Sequence, residues 1–180
     1  MKIGEYTFKR RYTLAQIIVD VVSAVVLLGF LLIVSAHIEW AQWLDRQNRT
    51  DYVLHKEWYP LIIWIAAGAL VMGLSFFLMF RKKKQPKKLC ITENNVVKYD
   101  NALNTGIALV RLMVLLLLWN VCSVHSDFIL WGQSEIDYLT YVIGLLIIVG
   151  IVILTKMRTD ALSETEKQSG ASGKKYIVED

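Results

Sequence analysis

The chain has 180 residues, 55% of them hydrophobic, with 20 Lys and Arg against 16 Asp and Glu for a formal charge of +4. Its length allows one domain, and it is more apolar than an average soluble domain. Two cysteines exclude a disulfide-rich scaffold.

The apolar residues gather in four runs. These are Leu14 to Ala36, Pro60 to Phe80, Ala102 to Val124 and Tyr138 to Thr155. A membrane span needs about 20 mostly apolar residues. Lipid offers no partner for free backbone groups, so each run is expected to be an α-helix. The expected fold is all-α, a bundle of four transmembrane helices, with residues 1–158 as the membrane domain. Lys9, Arg10 and Arg11 before the first run resemble the basic start of a signal peptide, and Val34-Ser35-Ala36 loosely resembles a cleavage site. The run exceeds the usual apolar core of such a peptide, so it reads as an uncleaved helix.

Within the first run stands Asp20, and within the third Arg111; no other formally charged residue lies in the four runs. Buried ionisable groups in membranes usually pair. Both helices are expected to run the same way, and the rise per residue puts the two residues within about 5 Å of the same depth. Gln16, Asp20 and Ser23 share one helical face, as do Asn104, Ala108 and Arg111. The two stripes predict an intramembrane pair, structural rather than a relay; the competing reading is that Arg111 snorkels to the headgroups.

The first loop begins His37-Ile38-Glu39-Trp40, which could extend helix one along the interface. Asn48-Arg49-Thr50 matches a glycosylation acceptor, a triplet that also arises by chance. His37, His55 and His125 all fall on this side, with Glu39 and Asp127 close in sequence to two of them. They form a candidate outer metal cluster by ligand type. Their spacing matches no compact motif, so no metal and no cofactor is expected.

Pro60 suits the first turn of helix two, where its missing N–H is not needed. Ala69 and Gly73 in helix two, and Gly144 and Gly150 in helix four, read as close-packing sites between helices. Cys90 and Cys122 lie about a membrane thickness apart, too far for a disulfide, and are expected to be free thiols.

Lys and Arg counting sets the orientation. Sixteen basic residues lie in the N-terminal segment, the loop between runs two and three, and the tail; three lie in the first loop and none in the third. This asymmetry predicts cytoplasmic N and C termini. Trp40, Trp43, Trp58, Tyr59, Trp131 and Tyr138 cluster toward the other side as an interfacial belt would. The basic run from Arg81 to Lys88 reads as a topology signal in contact with anionic headgroups, not as a nucleic-acid site. The expected partner is the lipid bilayer, with room for a protein partner of unknown kind. Residues 159–180 are polar, with Ser163, Ser169, Gly170, Ser172 and Gly173, and read as a disordered cytoplasmic tail with few contacts to the helices.

No Gly-rich phosphate loop, H-E-x-x-H or nucleophile elbow occurs, so an enzyme is not expected. One resemblance stands beside this reading. Ile91-Thr92-Glu93-Asn94-Asn95, then Tyr99, then the apolar stretch from Ile107 to Trp119, resembles the loop and third helix of small bacterial membrane proteins related to the Sdp killing-factor immunity protein. Thr92 would cap a helix beginning near Glu93. Lys56 before Trp58 and Pro60 is similar to that family's lead into helix two. The first loop departs from the family, having neither a glycine nor a Pro-x-His segment. The resemblance implies a bacterial plasma-membrane protein of the immunity or signalling-accessory kind. The alternative is a small transporter or an accessory subunit of a transport complex.

Overall fold

The computed structural model describes residues 2–3, 6–7, 12–47, 58–81, 95–132 and 136–168. Four helices in it are long and apolar enough to cross a membrane: α1 (Leu14–Arg46), α2 (Ile62–Phe80), α3 (Val96–Trp131) and α4 (Tyr138–Gln168). One small departure from an all-helical reading is an antiparallel pair of two-residue strands, β1 (Lys2–Ile3) and β2 (Tyr6–Thr7).

Local chemistry sets the helix starts. The Thr13 hydroxyl accepts from the Gln16 N–H, and the Gln16 side chain accepts from the Thr13 N–H, both at 3.2 Å. This reciprocal capping box satisfies two of the first orphan donors of α1. Pro60 lies in a single 3-10 turn, Tyr59–Leu61, that leads into α2. Asp137 precedes α4, where its carboxylate accepts from the Thr140 hydroxyl and the Leu139 N–H. Those bonds, the Thr140 hydroxyl foremost, hold the exposed Asp137 carboxyl below its usual range. Gly132 ends α3 with φ of 70°, the left-handed conformation that a Cβ would disfavour.

α3 is the central helix: α1, α2 and α4 all pack on it, α1 and α2 touch more lightly, and little direct packing joins α2 to α4. An apolar core of Phe30, Val34, Leu61, Cys122 and Ile129 fills the space between α1, α2 and α3. Gly68 makes that approach possible, since a Cβ there would meet Leu27 at 2.8 Å. Large apolar residues point outward along every helix, among them Val25, Leu32, Leu70, Leu146 and Leu154, a surface suited to lipid.

Three helices outrun their apolar runs. At 1.5 Å per residue, the 33 residues of α1 and the 36 of α3 make rods of about 50 Å and 54 Å, longer than a hydrocarbon core of about 30 Å. At the tryptophan-rich end α1 and α3 continue together, joined by buried Ala41, Leu44 and Leu130, with the Trp40 ring 5.6 Å from Trp43 and 6.1 Å from Trp131. At the opposite, basic end, α3 and α4 continue together.

That second extension corrects the reading of a disordered tail from residue 159. α4 runs on to Gln168, with Thr159 and Ser163 buried. Asn95 donates from its side-chain amide to the Leu162 carbonyl at 3.2 Å. Residues 169–180 lie outside the described residues, as do Cys90, Thr92 and Glu93. α3 starts at Val96 with Asn95 at its N-cap, later than the expected start near Glu93. Ending the chain after Arg158 is expected to lower stability by about 1 kcal/mol or more, the scale of a lost buried hydrogen bond with its packing. An unchanged Tm in detergent would mean that the extension does not dock.

The packing glycines also need correcting. A Cβ at Gly73 or Gly150 would meet nothing within 4 Å, and Ala69 is exposed. Gly144 is a close approach, with Leu117 at 2.6 Å from an added Cβ. The tightest approach is Gly106, whose added Cβ would overlap Thr155 of α4.

Candidate functional site

The polar residues of α1 and α3 meet in a buried ladder near the basic end. Gln16, fully buried, donates to the Asn101 carbonyl at 3.0 Å and the Thr105 hydroxyl at 3.2 Å. Further along, Arg111 of α3 pairs with Asp20 of α1. The Arg111 side chain is fully buried and that of Asp20 is 23% exposed.

The guanidinium does more than neutralise Asp20. Its Nε donates to the Ser23 hydroxyl at 3.3 Å, and an Nη to the Ser75 hydroxyl of α2 at 3.4 Å. Its Cζ lies 5.0 Å from the centre of the Phe76 ring, in cation–π range. Ser23 and Ser75 donate in turn to the carbonyls of Val19 and Met72 on their own helices. One arginine therefore joins α1, α2 and α3. Its planar fork of donors suits that task better than a lysine ammonium would. Below it, Asn104 donates to the Asp100 carboxylate at 2.8 Å.

A groove of about 990 Å³ opens on the other side of Arg111, between α2 and α4, with α3 as its floor. Leu74 and Leu78 of α2, Ile107 and Val114 of α3, and Val152 of α4 form an apolar wall. The end of the groove toward the basic end is polar, with Tyr99, Lys156, Asp160 and Glu164. Its volume lies at the top of the range for ligand pockets, about 300–1,000 Å³.

A second polar layer lies toward the tryptophan-rich end. His37 Nδ1 is 2.9 Å from the Ser126 hydroxyl, with the imidazole buried and its Nε2 unpartnered among the described residues. His125 Nδ1 accepts from the Trp64 indole at 2.8 Å, which leaves the proton of a neutral ring on Nε2. These partners differ from the candidate outer metal cluster of His37, His55 and His125. His55 lies outside the described residues, and among those described no group of three His, Cys, Asp or Glu is placed to hold a metal. Between the two polar layers, Phe30, Leu115 and Cys122 are completely buried.

The sequence brought Asp20 and Arg111 into view, but not Ser75 as their third partner, nor the groove. One signal for the groove's far wall was present. Thr155, Thr159 and Ser163 repeat every fourth residue, as do Lys156, Asp160 and Glu164, which is helical spacing carried past the apolar run. No family model, curated protein or solved structure matches the chain.

Proposed function

We propose that this chain is a non-enzymatic, multi-pass protein of the bacterial plasma membrane, of the immunity or signalling-accessory kind, with the groove between α2, α3 and α4 as its working surface. The groove carries this reading: it is large, apolar along its length and polar at one end, so it suits an amphiphile entering sideways from lipid. The orientation rests on the sixteen-to-three distribution of basic residues, which favours cytoplasmic termini. The alternative, a small transporter or transport subunit, draws on the Asp20–Arg111 pair. The solid layer of Phe30, Leu115 and Cys122 between the two polar layers counts against a continuous path.

Impermeant thiol labelling tests the orientation, in a background with Cys90 and Cys122 changed to alanine. Gln85→Cys and Gly170→Cys are expected to stay unlabelled in intact cells, while Asn48→Cys and Gln133→Cys label. Labelling at position 85 without permeabilisation would reverse the topology.

The immunity reading is tested by survival. Expression in a sensitive bacterium is expected to raise the concentration of a membrane-active apolar peptide needed for killing. Val110→Trp, which puts an indole across the floor of the groove, is expected to remove that protection while the protein stays in the membrane. Equal killing with and without the chain contradicts the immunity reading. Protection by the Val110→Trp variant would mean that the groove is not the working surface.

A further inference from the structure

The two ends of the groove differ in chemistry, and the difference specifies an occupant. From Tyr99 to Val114 the floor on α3 spans fifteen residue steps, about 22 Å of helix. That length exceeds one leaflet of hydrocarbon, half of about 30 Å. Along it run Leu74, Leu78, Leu103, Ile107, Val110 and Val114, which accept an alkyl chain and little else. Lipid is the solvent at this depth, and a groove of this volume that opens beside it fills with a chain.

The polar end adds selectivity. Lys156, Asp160 and Glu164 lie on one side of α4, four residues apart, and all three line the groove. One cation and two carboxylates match a head that carries both a phosphate and an ammonium. Arg111 adds no free charge, because Asp20 neutralises it. We infer that the groove holds a zwitterionic phospholipid with a primary ammonium, its phosphate on Lys156 and its ammonium on Asp160 and Glu164. An anionic phospholipid would bring net negative charge to a lining that has two carboxylates, Asp160 and Glu164, against one cation, Lys156, besides the paired Arg111. A quaternary ammonium keeps the charge but has no N–H to donate to the carboxylates. The expected order is phosphatidylethanolamine, then phosphatidylcholine, then phosphatidylglycerol.

This inference rests on the groove as the working surface, and its test is independent of orientation and of immunity. The full chain is reconstituted with an equimolar mixture of the three lipids. The lipid kept by each chain after gentle detergent extraction is then identified by native mass spectrometry. Phosphatidylethanolamine is expected to be enriched several-fold over the mixture. The Asp160→Asn, Glu164→Gln double variant, altered only at the mouth, is expected to keep a lipid but lose the preference. Val110→Trp is expected to lose the lipid. Retained lipid that mirrors the mixture, or enrichment of phosphatidylglycerol, overturns the inference. So does one-to-one displacement of the lipid by an apolar cationic peptide, which would make the groove a peptide site. Phosphatidylethanolamine enrichment in a chain that gives no protection from killing would remove the immunity reading and leave this inference standing.

Discussion

Asp20→Asn is expected to destabilise the protein by about 3–5 kcal/mol, the cost of leaving a buried charge without its partner. Arg111→Gln is expected to cost less. The asymmetry follows from enclosure: Asp20→Asn strands a guanidinium that is completely buried, whereas Arg111→Gln strands a carboxylate that is 23% exposed. The Asp20→Asn, Arg111→Gln double variant is expected to be less damaging than the sum of the two, since neither charge is left alone. A charge at the centre of a membrane helix costs about 2.5–3.5 kcal/mol on insertion scales, which sets the size of the coupling. Unfolding in mixed micelles reads all three variants. Simple additivity would show that the two residues do not act as a pair.

Gly106→Ala is expected to cost about 1–3 kcal/mol, the usual range for overpacking. The added methyl overlaps the Thr155 hydroxyl and methyl, and Thr155 has little freedom to turn away. It is β-branched, and its hydroxyl already donates to the Ile151 carbonyl at 2.7 Å. α4 must then move off α3, which widens the groove at its middle. Thr155→Ala removes two of the three atoms in the way and is expected to restore most of the loss. If Gly106→Ala is neutral alone, α3 and α4 are not in close contact at this point.

How much of this was legible follows from which forces act along the chain and which act across it. The four helices were legible because lipid forces each apolar run to satisfy its own backbone. Asp20 and Arg111 could be matched by depth, since rise per residue is fixed. The angular order of the helices is not fixed by any single run. Nothing in the spacing of Ala69 and Gly73 shows that they face outward, or that Gly68, one residue earlier, is the true approach to Leu27. Ser75 reads as an ordinary small polar residue until α2 is seen beside Arg111. Composition hides the α4 extension: Ser163 counts toward disorder by type, yet Thr159 and Ser163 stand four residues apart, one helical turn, and both are buried. The groove was least legible, being the space left where α2 and α4 both pack on α3 and little on each other.

On the proposed reading, the gap between α2 and α4 is open to lipid along its length and polar only at one end. Nitroxide labels at Ile107 and Val114, on its floor, and at Glu164, at its mouth, test this in lipid nanodiscs by collision with oxygen and with a water-soluble nickel chelate. Ile107 and Val114 are expected to be reached by oxygen and shielded from nickel, and Glu164 to be reached by nickel. Floor positions closed to both reagents would show α2 and α4 packed together. Floor positions open to nickel would show a water-filled cleft, and either result would contradict a groove open to lipid.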